Sequence, residues 1–127
     1  MELKLIEAIQ KSETHFRGYV DLPELARLLK DYPFEDEVLQ KARIYKKYME
    51  NGIINFKVTV RLEPDTDISE DGDDRVFSFS QCEIRDGKSR AAALCMLPED
   101  ILEDKETEAE IFLATKEKMD KLEQNKL

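Results

Sequence analysis

Apolar and polar residues alternate without a break from Ile54 to Leu62. Ile54, Phe56, Val58, Val60 and Leu62 interleave with Asn55, Lys57, Thr59 and Arg61. Period two at this length predicts a strand with one buried and one wet face. Upstream the spacing is helical. Leu5, Ile6, Ile9 and Phe16 fall on one broad face of an expected helix over 3–17, with Gly18 placed as its stop. Asp21-Leu22-Pro23-Glu24 is a helix start: Asp21 caps, Glu24 completes the box, and proline is tolerated in the first turn. Leu22, Leu25, Ala26, Leu28 and Leu29 form its stripe. Tyr32-Pro33 ends it, because the residue before proline is pushed out of the helical region.

A third helix is expected over 35–50. Its acidic opening, Glu35-Asp36-Glu37, and its late Lys46-Lys47 both suit the helix dipole. Val38, Leu39, Ala42, Tyr45, Tyr48 and Met49 supply a core face, and Asn51-Gly52 a stop. Beyond the alternating strand, a second strand is expected over 75–85. Its apolar parity shifts from Phe77 and Phe79 to Cys82 and Ile84, which predicts a bulge near Ser80-Gln81. Asp86-Gly87 reads as a hairpin turn into a third strand over 88–97, although Ala91-Ala92-Ala93 by itself favours helix. Pro98-Glu99-Asp100 opens a last helical region, and 107–124 carries a sparse helical stripe of Ala109, Phe112, Met119 and Leu122. The expected fold is therefore one α+β domain over 1–127. Three N-terminal helices (1–52) pack on a small three-stranded antiparallel sheet (53–97), and an acidic helix follows (98–127).

Charge changes this picture. The 127 residues carry a net charge of -9. The balance is +1 through Leu62 and -10 from Glu63 onward. The acidity concentrates in two runs. One contains Glu63, Asp65, Asp67, Glu70, Asp71, Asp73 and Asp74; the other contains Glu99, Asp100, Glu103, Asp104, Glu106, Glu108 and Glu110. Like charges at this density repel, so each run is expected to face solvent or a basic partner. Nonspecific attraction to nucleic acid or to an anionic membrane is excluded by the sign of the charge. No apolar run has the length of a membrane span, and the first residues lack the pattern of a signal peptide; a cytoplasmic location is expected.

Candidate chemistry is sparse. The single histidine, His15, has Ser12, Glu13 and Thr14 beside it, but sequence neighbours do not make a triad. Cys82 and Cys95 read as small buried hydrophobes, with no CxxC pair or nearby histidine to bind zinc. There is no Gly-rich phosphate loop and no nucleophile elbow. The chain is expected not to be an enzyme and to need no cofactor. Asp67-Ile68-Ser69-Glu70-Asp71-Gly72 resembles half of a calcium loop. Its twelfth position is Ser78, where the bidentate glutamate should stand, so an acidic strand connection is the plainer reading. Lys41, Arg43, Lys46 and Lys47, interleaved with Tyr45 and Tyr48, suggest a recognition helix of a winged-helix DNA reader. Against this, the helix begins with Glu35, Asp36 and Glu37, and the expected wing tip is the first acidic run.

The favoured expectation is a non-enzymatic acidic protein that binds and inhibits or regulates a basic, nucleic-acid-binding partner, such as a nuclease or a toxin of that kind. Its carboxylates would imitate a phosphate array. The expected contact residues are Asp65, Asp67, Glu70, Asp71, Asp73 and Asp74 in the first run, and Glu99, Asp100, Glu103, Asp104, Glu106 and Glu110 in the second. No motif in the chain is specific enough to name a family.

Overall fold

A computed structural model describes residues 1–52 and 55–125. Its strands are β1 (Glu2–Ser12), β2 (His15–Asp21), β3 (Lys57–Leu62), β4 (Asp67–Asp71), β5 (Asp74–Ser78), β6 (Cys82–Asp86) and β7 (Glu106–Leu113). Its helices are α1 (Leu22–Leu28), α2 (Asp36–Met49), α3 (Lys88–Leu94), α4 (Glu99–Leu102) and α5 (Lys116–Gln124). The fold is α+β, but the expected three helices on a small three-stranded sheet are overturned. Among the described residues a seven-stranded mixed sheet runs in the order β4-β5-β1-β2-β7-β3-β6, with five helices. All neighbouring pairs are antiparallel except β3 with β7.

The first correction lies at 3–17, a hairpin and not a helix. Leu3 and Leu5 point to the core with period two; then Glu7 takes φ 51 and the register with β2 shifts, which bends the strand. The polar stretch Ser12-Glu13-Thr14 makes the turn, where the Thr14 N–H donates to Ser12 Oγ at 3.2 Å. In β2, Phe16 and Val20 are buried while Arg17 and Tyr19 face out. Gly18 is no helix stop. A Cβ there would lie 2.6 Å from the Ile6 carbonyl oxygen and 2.8 Å from Leu5 Cγ, so only glycine lets the β1 backbone approach.

The two middle helices form where expected. Asp21 caps α1 by accepting the Glu24 N–H at 3.2 Å, and Pro23 sits in the first turn. α2 keeps its acidic start and buries Ala42 and Met49, but Tyr48 is exposed and not in the core. Within the expected alternating strand, Phe56, Val58, Val60 and Leu62 are buried, but the face expected to be wet is not, since Thr59 and Arg61 are buried as well; Ile54 lies outside the described residues.

Further on, the parity break at Ser80-Gln81 is more than a bulge. β5 pairs with β1 and β4, whereas β6 pairs with β3 at the far end of the order. Asp86-Gly87 turns the chain into α3, not into a third strand, and the alanines Ala91, Ala92 and Ala93 are all buried there. The region 107–124 divides into β7 and α5. Glu106, Glu108 and Glu110 alternate with Thr107, Ala109 and Ile111, which is strand spacing, and Thr115 caps α5 by accepting the Lys118 N–H.

Chain connectivity dictates the shape of the sheet. Only Phe79, Ser80 and Gln81 separate β5 from β6, yet the two strands stand five places apart. Laid flat, five strand steps would span about 24 Å, while the four steps from Ser78 to Cys82 reach about 14 Å at most. The sheet is therefore rolled, so that its two ends approach. The T-shaped contact of Phe16 on β2 with Phe77 on β5, centroids 5.2 Å apart, fits that curvature. One hydrophobic cluster joins the inner faces of the strands to Leu22, Leu25 and Leu29, Ala42 and Met49, and Ala91 to Leu94. No helix among the described residues is long and apolar enough to cross a membrane.

Candidate partner-binding surface

The first acidic run builds the exposed edge of the sheet. β4 hydrogen-bonds only to β5 among the described residues, and all five of its residues are exposed. Because strand neighbours alternate faces, Asp67, Ser69 and Asp71 share one side and Ile68 and Glu70 the other. This spacing also answers the calcium-loop resemblance. Alternate residues stand about 6.8 Å apart along a strand and run side by side, so their oxygens do not converge on one ion. Among the described residues no group of three or more His, Cys, Asp or Glu is placed to hold a metal.

Part of the run is neutralised within the chain. Lys4 reaches Asp71 at 3.1 Å and Asp74 at 3.6 Å, and Arg75 reaches Glu70 at 3.7 Å. Hydrogen bonding and attraction to Asp71 raise the Lys4 ammonium above its ordinary value. The Asp74 carboxylate also accepts the Glu7 N–H at the bend of β1. No salt bridge among the described residues involves Asp65, Asp67 or Asp73, which stay available to a cation from outside.

The second run lies on other elements than the first. Asp100 and Glu99 open α4, Glu103 and Asp104 form the turn after it, and Glu106 and Glu110 lie on the outward face of β7. β7 is four strand steps from β4, about 19 Å along the sheet. Two of the expected contact residues are already engaged: Glu99 is bound by Arg27, and Glu110 is the hub of a charged cluster. Lys57 Nζ lies 3.1 Å from Glu110, His15 Nε2 3.3 Å and Arg17 Nε 3.7 Å. The Glu110 side chain is 12% exposed. Burial acts to raise its carboxyl, but the hydrogen bond and charge of Lys57, with His15, outweigh it and hold it below the ordinary range.

A second network crosses the same outer face. Arg61 bonds Glu83 and Glu63, and Arg85 bonds Glu83, Asp120 and Glu123, which ties α5 to β6. Burial acts to raise the Glu83 carboxyl, but Arg61 and Arg85 hold it down. The cysteines are not the buried hydrophobes expected, since Cys82 is half-buried and Cys95 exposed, although partial burial pushes both thiols above their ordinary value.

The winged-helix arrangement is not assembled. The hairpin that follows β3 pairs with β1, away from α2, and the first turn of α2 is acidic. The outer face of α2 nevertheless carries Ile44 and Tyr48, each 59% exposed, among Lys41, Arg43 and Lys47. Ile44 falls outside the predicted core stripe, so its exposure was legible. The Glu110 cluster was not, since it draws one residue each from β3 and β7 and two from β2. No family model, curated protein or solved structure matches the chain.

Proposed function

We propose that this is a non-enzymatic interaction protein that binds a basic, nucleic-acid-binding partner and inhibits or regulates it. The β4 edge carries the contact. The supporting observation is the coincidence of two features in one element. β4 is an edge strand with a backbone rim unpaired among the described residues, and carboxylates surround it. Such a rim accepts an added strand, and the charge selects a cationic one. Asp65, Asp67 and Asp73 would meet the partner's Lys and Arg, while Lys4 and Arg75 keep the strand attached to its neighbours.

The test begins with capture from the native host on the wild-type chain. A second bait carries Asp65, Asp67, Asp71, Asp73 and Asp74 changed to Asn. The expected captured protein is basic and binds nucleic acid. The neutralised bait should associate with it more slowly and with a flatter salt dependence. Amides of β4 should gain hydrogen-exchange protection in the complex. A partner whose affinity and salt slope are the same for both baits removes the acidic edge from the contact.

A further inference from the structure

The ends of the rolled sheet do not close, and the seam holds a groove of about 570 Å³. It is walled by Leu28, Tyr32 and Pro33 on one side and by Arg61, Cys82 and Lys116 on the other. Size and partly apolar lining suit a small molecule.

Two hydrogen-bond donors in this wall lack an acceptor among the described residues. Arg61 is 7% exposed at its side chain. Its Nε donates to Glu83, and its Nη1 donates to Glu63 and to the Ala114 carbonyl, each at 2.9 Å. Nη2 has no acceptor. The guanidinium is held from three directions, so it cannot turn Nη2 elsewhere. The Tyr32 hydroxyl accepts the Ile84 N–H at 3.0 Å, which leaves its own proton to donate. Burial pushes the Tyr32 phenol up despite the Arg61 charge nearby, so that proton stays on. Both donors open onto the groove, where water or a ligand can take them, and an ionised acceptor is the strongest partner for either.

The charges set the ligand's valence. Arg27, Arg61, Lys116 and the Met1 ammonium face the groove against Asp31 and Glu83. Glu83 is committed to Arg61 and Arg85. With Arg27 taken up by Glu99, one excess positive charge remains, which suits a monoanion better than a polyanion.

We propose that the seam groove binds a small carboxylic acid with a flat apolar body. Its carboxylate takes the Arg61 Nη2 and Tyr32 hydroxyl protons, and its body lies on Leu28, Pro33 and Cys82. This site is separate from the β4 edge and stands whether or not that edge docks a partner.

The probe is 2-naphthoate, followed by backbone-amide NMR, with neutral 2-naphthamide and 2-naphthyl phosphate as controls. The expected result is saturable binding of the naphthoate tighter than about 1 mM, with shifts at Leu28, Tyr32, Cys82 and Lys116. The amide and the phosphate should each bind at least about tenfold more weakly. Tyr32→Phe should weaken the naphthoate about tenfold while leaving the amide unchanged. Leu28→Trp, which fills the groove, should abolish both. The proposal is overturned if the naphthoate shows no saturable binding at about 1 mM, if the amide binds equally well, or if the shifts map to another face.

Discussion

At the scale of single residues, Glu110 shows how one carboxylate can join several strands of a fold. Its three partners, His15, Arg17 and Lys57, come from β2 and β3, so it ties together strands that are distant in sequence. Its folded pKa lies below the unfolded value, because Lys57 and His15 outweigh burial. A depressed carboxyl contributes stability that is full above its unfolded pKa and is lost as pH falls through the folded one. Glu83 behaves the same way through Arg61 and Arg85. Urea unfolding midpoints should therefore fall on acidification below about pH 5. In Glu110→Gln the midpoint should be lower at neutral pH and should fall less steeply with acid. An acid limb of unchanged slope in Glu110→Gln would show that His15, Arg17 and Lys57 do not depress this group.

Among the elements, the β1–β2 hairpin depends on one missing side chain. Gly18 lets β2 lie against the bend of β1, where Ile6 carbonyl and Leu5 already occupy the Cβ position. The obstructing Ile6 oxygen is backbone and cannot swing aside. Gly18→Ala should cost about 2 kcal/mol or more in chemical denaturation, since overpacking at this pair forces the strands apart. A cost below about 0.5 kcal/mol would mean that the hairpin slides without loss. The same element is a strand pair despite its helix-forming composition. Residues 3–17 contain Leu, Glu, Lys, Ala and Gln, all good helix formers. Propensity is a weak prior, and pairing with β5 on one side and β2 on the other overrides it. The clue to the turn was Lys11-Ser12-Glu13-Thr14, four polar residues in succession where a helix would need an apolar one. In β7 the alternating glutamates were equally visible, but a longer helical stripe spanning α5 obscured them.

For the whole molecule, the distribution of charge and the rolling of the sheet act together. The net charge of -9 is unevenly spread, and β4 concentrates one part of it at a free edge. Like charge on that edge opposes pairing between the edges of different copies. It also loads the native state with repulsion that salt relieves. Raising sodium chloride from about 0.02 M to about 0.3 M at neutral pH should raise the thermal midpoint. A lowered midpoint would mean that the ion pairs of Glu110, Glu83 and Arg85 outweigh the repulsion between the runs.

Some of this was determined by the sequence alone. α1 and α2 have local causes: the Asp21 cap, the proline in the first turn, and the acidic and basic ends of α2. β3 was legible because apolar and polar residues alternate strictly along it, although the burial of Thr59 and Arg61 was not, and the acidic runs are a matter of counting. Each of these signals is complete within a few turns or a few residues of chain. Tertiary structure decided the rest. Whether 3–17 became helix or hairpin depended on β5 and β7, which lie more than fifty residues away. Whether 75–85 was one strand or two depended on the sheet rolling up, since only then can three residues connect its opposite ends. The Glu110 cluster and the seam groove follow from that rolling. Both are made of residues that no local spacing brings together, because sheet pairing energy is collected only after distant strands have met.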